Sequence, residues 1–168
     1  MARPWRRPPS TAAATFLANI VLSVRDVARR RRGLVVALRA EIGERRRAQQ
    51  AFLDGTNVEA VKAQMDSDPD YVPFTTSDPD FSRALYDDLR ADVAVLDGES
   101  LESVVRFYVE DNLTQCMVID LRSDLFGKLA APRKKAYLDL LIAQARETVE
   151  AGDQALDRLD ASFRGRAA

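Results

Sequence analysis

Apolar residues recur at steps of three and four along most of this chain. Leu17, Ile20, Val24, Val27, Leu34, Val35, Leu38 and Ile42 fall on one helical face of a segment that contains no proline. Ser10 or Thr11 can cap its start, and Gly55 after Asp54 marks its end. The pattern predicts one long helix, or two collinear ones, over residues 11–55, with Gly33 and Gly43 as soft points inside. Ahead of it, the stretch MARPWRRPP carries three prolines, which disfavour helix, so residues 1–10 read as an extended arm. Residues 57–65 read as a short helix capped by Thr56 or Asn57. A loop follows, to residue 80, in which Ser-Asp-Pro-Asp-aromatic occurs twice, beginning at Ser67 and at Ser77. Such a run is helix-start chemistry: the hydroxyl caps free amides, proline suits the first turn, and carboxylates face the helix dipole. The second copy is expected to open a helix carried by Phe81, Leu85, Leu89 and Val93. The first, followed by Pro73, is expected to form only a turn.

Beyond Asp97-Gly98 the pattern predicts another helix, capped by Asp97 or Ser100. Its apolar positions Leu101, Val104, Val105, Tyr108, Leu113, Cys116, Ile119 and Phe126 run to Gly127. Pro132 then falls in the first turn of a last helix. Its stripe of Leu138, Leu141, Ile142, Ala145, Val149, Ala155, Leu156, Leu159 and Phe163 predicts a helical hairpin with a coiled-coil-like seam. No segment alternates as a strand would. The expected fold is all-α, a helical bundle with a long basic N-terminal helix (residues 11–55), a short helix and Asp/Pro loop (56–80), and a helical domain ending in the hairpin (81–168).

Charge adds a division that the periodicity does not show. The 168 residues carry a net charge of -1, yet residues 1–50 hold twelve Arg against Asp26, Glu41 and Glu44, for +9, and the remainder sums to -10. Arg25, Arg29, Arg30, Arg31 and Arg32 are the candidate contacts to an anionic surface. Leu17, Ile20, Val24, Val27, Leu34 and Leu38 are the candidate interaction stripe. Arg31 falls within that stripe and must snorkel. The apolar run over residues 12–24 spans about 20 Å as a helix, short of the roughly 30 Å hydrocarbon core. Arg25 and the four arginines from Arg29 stand where a signal peptide would place a small-residue cleavage site. The face can pack on the rest of the protein or on another copy, or lie at a membrane surface with its guanidinium groups toward anionic lipid.

Candidate chemistry is sparse. The chain has no histidine, which removes imidazole acid–base catalysis and His metal ligation. The pairs Asp87/Asp88, Glu110/Asp111 and Asp120/Asp124 read as solvated acidic faces, the last pair four apart on one helix; a di-metal bundle site would add Glu-x-x-His motifs. Asp66, Asp68 and Asp70 mimic the opening of a calcium loop, but Tyr71 stands where glycine is required and Ser77 where a bidentate Glu is required. Cys116 cannot form an intrachain disulfide and reads as an inert packed thiol. Arg106 beside Phe107 and Tyr108 is placed for a cation–π contact. No catalytic residue, cofactor, metal or small-molecule substrate is expected.

The order of an N-terminal apolar segment, Ala37-Leu38-Arg39-Ala40-Glu41-Ile42, Leu85-Tyr86 with Leu89 and Leu96, and Val104-Val105-Arg106-Phe107-Tyr108 resembles that of uncharacterised small bacterial proteins. Those proteins place a membrane-proximal helix before a helical domain. The resemblance implies an all-helical fold and brings no catalytic residue with it. The expectation is a non-enzymatic interaction or assembly protein, cytoplasmic or peripheral at the inner membrane. Its partner would be a protein or a second copy, or an anionic membrane surface, with nucleic acid as the alternative.

Overall fold

The computed structural model describes residues 11–68, 70–73 and 96–164, and the side chains of all of these but 11–21, 24 and 163–164. The described residues form five helices and no strand: α1 (Thr11–Gly55), α2 (Val58–Ser67), α3 (Gly98–Leu121), α4 (Asp124–Gly127) and α5 (Ala131–Arg164). The all-α expectation is met, with a single unbroken N-terminal helix of 45 residues. Residues 1–10, the second Ser-Asp-Pro-Asp copy and the helix expected from Phe81 lie outside the described residues.

Local chemistry sets the boundaries. The Asn57 side chain accepts from the Ala60 amide at the start of α2, and Asp97 does the same for Ser100 at the start of α3. Ala131 and Pro132 open α5, where the missing proline amide leaves no helical acceptor unpaired.

One boundary differs from the sequence reading. α3 stops at Leu121 rather than running to Gly127. The Arg122 and Ser123 amides turn back to Ile119 and Asp120, and the Ser123 hydroxyl accepts from the Phe126 amide, starting the separate short helix α4. Asp120 and Asp124 are therefore not four apart on one helix.

α5 packs against both α1 and α3, and α2 also lies against α5. Two apolar clusters fill the interior. One joins Leu34, Val35, Leu38 and Ile42 of α1 to Val104, Phe107 and Tyr108 of α3 and Ala151, Ala155 and Leu159 of α5. The other gathers Met65, Leu121, Phe126, Leu138, Leu141 and Ile142. Each buried aliphatic or aromatic side chain contributes about 1.5–3 kcal/mol relative to exposure.

Between the clusters, in the order of residues along each long helix, sits a polar layer: Arg45 of α1, Asp111 and Thr114 of α3, and Thr148 of α5, all buried. Helix-to-helix approach is close beside it. A β-carbon on the buried Gly152 of α5 would come within 2.9 Å of the Arg46 Cγ and 3.3 Å of Phe107, so glycine is what lets α1 and α3 approach α5 there.

Candidate functional site

The sequence treats the face through α1 as one surface; the structure divides it at Arg31. This guanidinium reaches Asp97 at the start of α3 at 2.6 Å and the Ser162 hydroxyl near the end of α5 at 2.8 Å, so it ties together the two helix ends at one pole of the bundle. From Arg31 toward the C-terminus, Leu34 and Leu38 are core residues, 5% and 0% exposed. Of the alternatives for this face, packing on the rest of the protein is the one these two residues adopt: both are buried against α3 and α5. Arg31 is likewise not an outward-facing contact, because its charge is spent inside the molecule.

Toward the N-terminus α1 continues for twenty residues, about 30 Å. There the side chains at Leu22, Ser23 and positions 25–30 are all exposed. Val27 is 56% exposed and shares the face of Leu34 and Leu38, so the stripe that is core inside the bundle is uncovered at Val27. Arg25, Arg29 and Arg32, spaced i, i+4 and i+7, form an exposed row on the opposite side, with exposed Arg30 on the flank. Leu17, Ile20 and Val24 belong to the same helix, with their side chains outside the described set.

The charge division along the chain has an internal explanation. Arg39 meets Asp160 at 2.7 Å and Arg46 meets Asp153 at 2.8 Å, both across to α5. Arg45 meets Asp111 of α3 at 2.7 Å. Much of the basic character of α1 thus pairs with acids of the hairpin, while four exposed arginines, Arg25, Arg29, Arg30 and Arg32, gather on its N-terminal side.

The buried part of this pairing is a network that the sequence reading missed. Arg45 also reaches Glu41 at 2.8 Å, and its guanidinium lies 5.7 Å from the centre of the Tyr108 ring. Tyr108 donates its hydroxyl to Glu41 at 2.8 Å, and Gln115 donates to Asp111 at 2.8 Å. Burial, reinforced by the bond to the Glu41 carboxylate, pushes the Tyr108 hydroxyl well above the usual phenol range, so it remains a donor. Burial opposes the charge on Arg45, but Asp111 and Glu41 outweigh it and raise its affinity for the proton. Beside it, Thr114 and Thr148 share a hydrogen bond of 2.8 Å between α3 and α5. Asp111 is 2% exposed and so is not part of a solvated acidic face.

α3 departs from its predicted orientation along its outer side as well. Val105, Leu113 and Ile119, assigned to its core stripe, are 39%, 47% and 52% exposed, and Cys116 is exposed rather than packed. Arg106 is exposed and donates to Gln154 of α5 at 3.1 Å. In the groove between α3 and α5, Arg158 pairs with Glu99 at 2.7 Å. Near the other pole, Lys134 is fully buried, its ammonium 5.8 Å from the centre of the Phe126 ring.

Among the described residues, no group of three or more Cys, Asp or Glu side chains is gathered closely enough to hold a metal ion. No helix among them is long and apolar enough to cross a membrane. Comparison with protein-family models, with curated proteins and with solved structures finds no match to this chain.

Proposed function

We propose that this chain is a non-enzymatic interaction or assembly protein, a subunit or adaptor in which the bundle is the platform and the N-terminal end of α1 is the contact element. The observation that carries the reading is the change of environment at Arg31. One continuous helix is core on its C-terminal side, while beyond Arg31 it exposes an apolar residue on one face and an arginine row on the other. A rigid bundle fixes the direction of such a helix, which lowers the ordering cost of engaging a partner. An apolar face backed by guanidinium groups suits an anionic membrane surface, where each positive charge contributes about 1 kcal/mol. A protein partner with an apolar groove and an acidic rim would use the same two faces.

The test is co-sedimentation of the full chain with vesicles of anionic or neutral lipid, comparing wild type with the triple variant Arg25→Gln, Arg29→Gln, Arg32→Gln. Arg31 is left in place because it holds the bundle ends. Membrane contact predicts binding to anionic vesicles, weak binding to neutral ones, and a steep loss in the triple variant. Protein contact predicts no vesicle binding and a complex that survives the triple variant but not Val27→Asp. Binding to DNA or RNA whose salt dependence flattens in the triple variant would replace this reading with the nucleic-acid alternative. If the chain binds neither vesicles nor nucleic acid, and deleting residues 11–28 changes no assembly in which it takes part, the contact role of α1 is refuted.

A further inference from the structure

Opposite its packed side, α3 carries a second exposed surface that no other described helix covers, separate from the end of α1. Val105, Val109, Leu113, Cys116 and Ile119 recur at four, four, three and three residues, which sets them along one helical face, and all five are exposed. The face is about 21 Å long. Leu140 of α5, 61% exposed, extends it sideways. Leu140 lies between Tyr137, which donates to Asp120, and Gln144, which donates to Glu110, and so stands near the level of Cys116 on the neighbouring helix. Isolated exposed apolar residues are ordinary on a protein surface, but six aligned over two adjacent helices form a patch of the kind that marks an interaction site.

The charges beside this patch identify what fits it. Arg106 and Asp120 are exposed and stand seven residues to either side of Leu113. Both lie on the flank toward α5, since Arg106 reaches Gln154 and Asp120 accepts from Tyr137. A two-fold axis passing beside Leu113 and perpendicular to α3 brings a second α3 alongside in the opposite direction. It keeps the α5 flank on the same side and sets each Arg106 level with Asp120 of the other copy, about 10 Å from the axis. The surface is complementary to itself in apolarity and in the pairing of Arg106 with Asp120. We propose that α3 is the self-association face of this protein, forming an antiparallel, two-fold pair of chains centred on Leu113.

The experiment is sedimentation equilibrium of the full chain, with position-specific oxidative cross-linking. Wild type should show a concentration-dependent dimer. Arg106→Glu should weaken it at least tenfold by setting two acids opposite each other. Combining Arg106→Glu with Asp120→Arg should restore it, because in a two-fold pair one chain carrying both reversals rebuilds both contacts. In a Cys116→Ser background, Leu113→Cys should cross-link between chains. Val105→Cys should not, because its two copies would sit about 24 Å apart along the helix direction, far beyond disulfide reach. A wild-type chain that is monomeric at every concentration, a double reversal no better than the single, or cross-linking at position 105 as efficient as at 113 would each overturn the proposal. None of these readouts depends on the N-terminal end of α1, so failure here leaves the contact role of that helix standing, and the converse holds.

Discussion

The two long helices of the C-terminal hairpin meet the same interior in opposite ways. α5 turns Leu138, Leu141, Ile142, Ala145, Ala151, Ala155 and Leu159 inward, with Thr148 as a small polar interruption. α3 buries Ser100, Asp111 and Thr114 among Val104, Phe107 and Tyr108, and leaves Val109, Leu113 and Ile119 at the surface. Transfer free energy does most to orient α5, because most of its apolar face is buried, with Lys134 and Leu140 as exceptions. The orientation of α3 is decided by partners that other helices bring: Arg45 for Asp111, Glu41 for Tyr108, Thr148 for Thr114. A buried carboxylate is tolerable only where a matched cation and further donors await it, and α1 supplies them at one level along its length.

The sharpest way to break this contrast is to remove the cation. Arg45→Met leaves Asp111 and Glu41 without their shared cation and should cost about 3–5 kcal/mol in denaturant unfolding. Arg45→Met with Asp111→Leu should cost clearly less than the single change, since a buried pair replaced by apolar groups of similar volume is often close to neutral. If the single and double variants were equally damaged, the packing of the Arg45 stem rather than its charge would be the stabilising contribution.

A smaller effect compares two glycines in helix interiors. Gly43→Ala meets nothing within 4 Å and should stabilise by up to about 1 kcal/mol through helix propensity. Gly152→Ala gains the same propensity but drives a methyl into Arg46 and Phe107, and overpacking of about 1–3 kcal/mol should make it the less stable of the two. Thermal melts of both variants check the sign.

The smallest expected effect is at Asp97. Partial burial pushes its carboxyl up, but the Ser100 amide, the Ser100 and Ser162 hydroxyls and the charge of Arg31 together hold it at about 2, below the ordinary value of 3.8. Its contribution is complete above about pH 4 and is lost as pH falls toward about 2. Because the side chain is 42% exposed, solvent screens the effect. Asp97→Asn should therefore flatten, only modestly, the fall in melting temperature across that window.

How much of this could be read in the sequence follows from which force set each feature. α1 and α5 were legible from end to end, since caps, an unbroken period and proline placement all agreed. The break after Leu121 was not, because the apolar period continues through it. The Ser123-Asp124 pair that caps α4 was the available signal. Asp111 stood in register with Val104, Phe107 and Tyr108, and Arg45 followed Ile42 by three residues. Two opposite charges on two apolar stripes could have been matched, but periodicity ranks residues by polarity and takes no account of a partner on another helix. The arginine cluster was visible as charge. Which end of α1 was covered depended on where α3 begins and α5 ends in space, which no local pattern records.

The cluster that joins Leu34, Leu38 and Ile42 to Ala151, Ala155 and Leu159 bears on how the chain is made. These partners are separated by about a hundred residues, so at roughly 5–20 residues per second the apolar face of α1 leaves the ribosome about 5–20 s before α5 can cover it. Arg45 spends that interval within its own stripe, where its charge interrupts what would otherwise be a longer sticky surface on the nascent chain. It surrenders that role once Asp111 emerges to meet it. The residue that ties α1 to α3 in the finished bundle also interrupts the apolar face of the unfinished one.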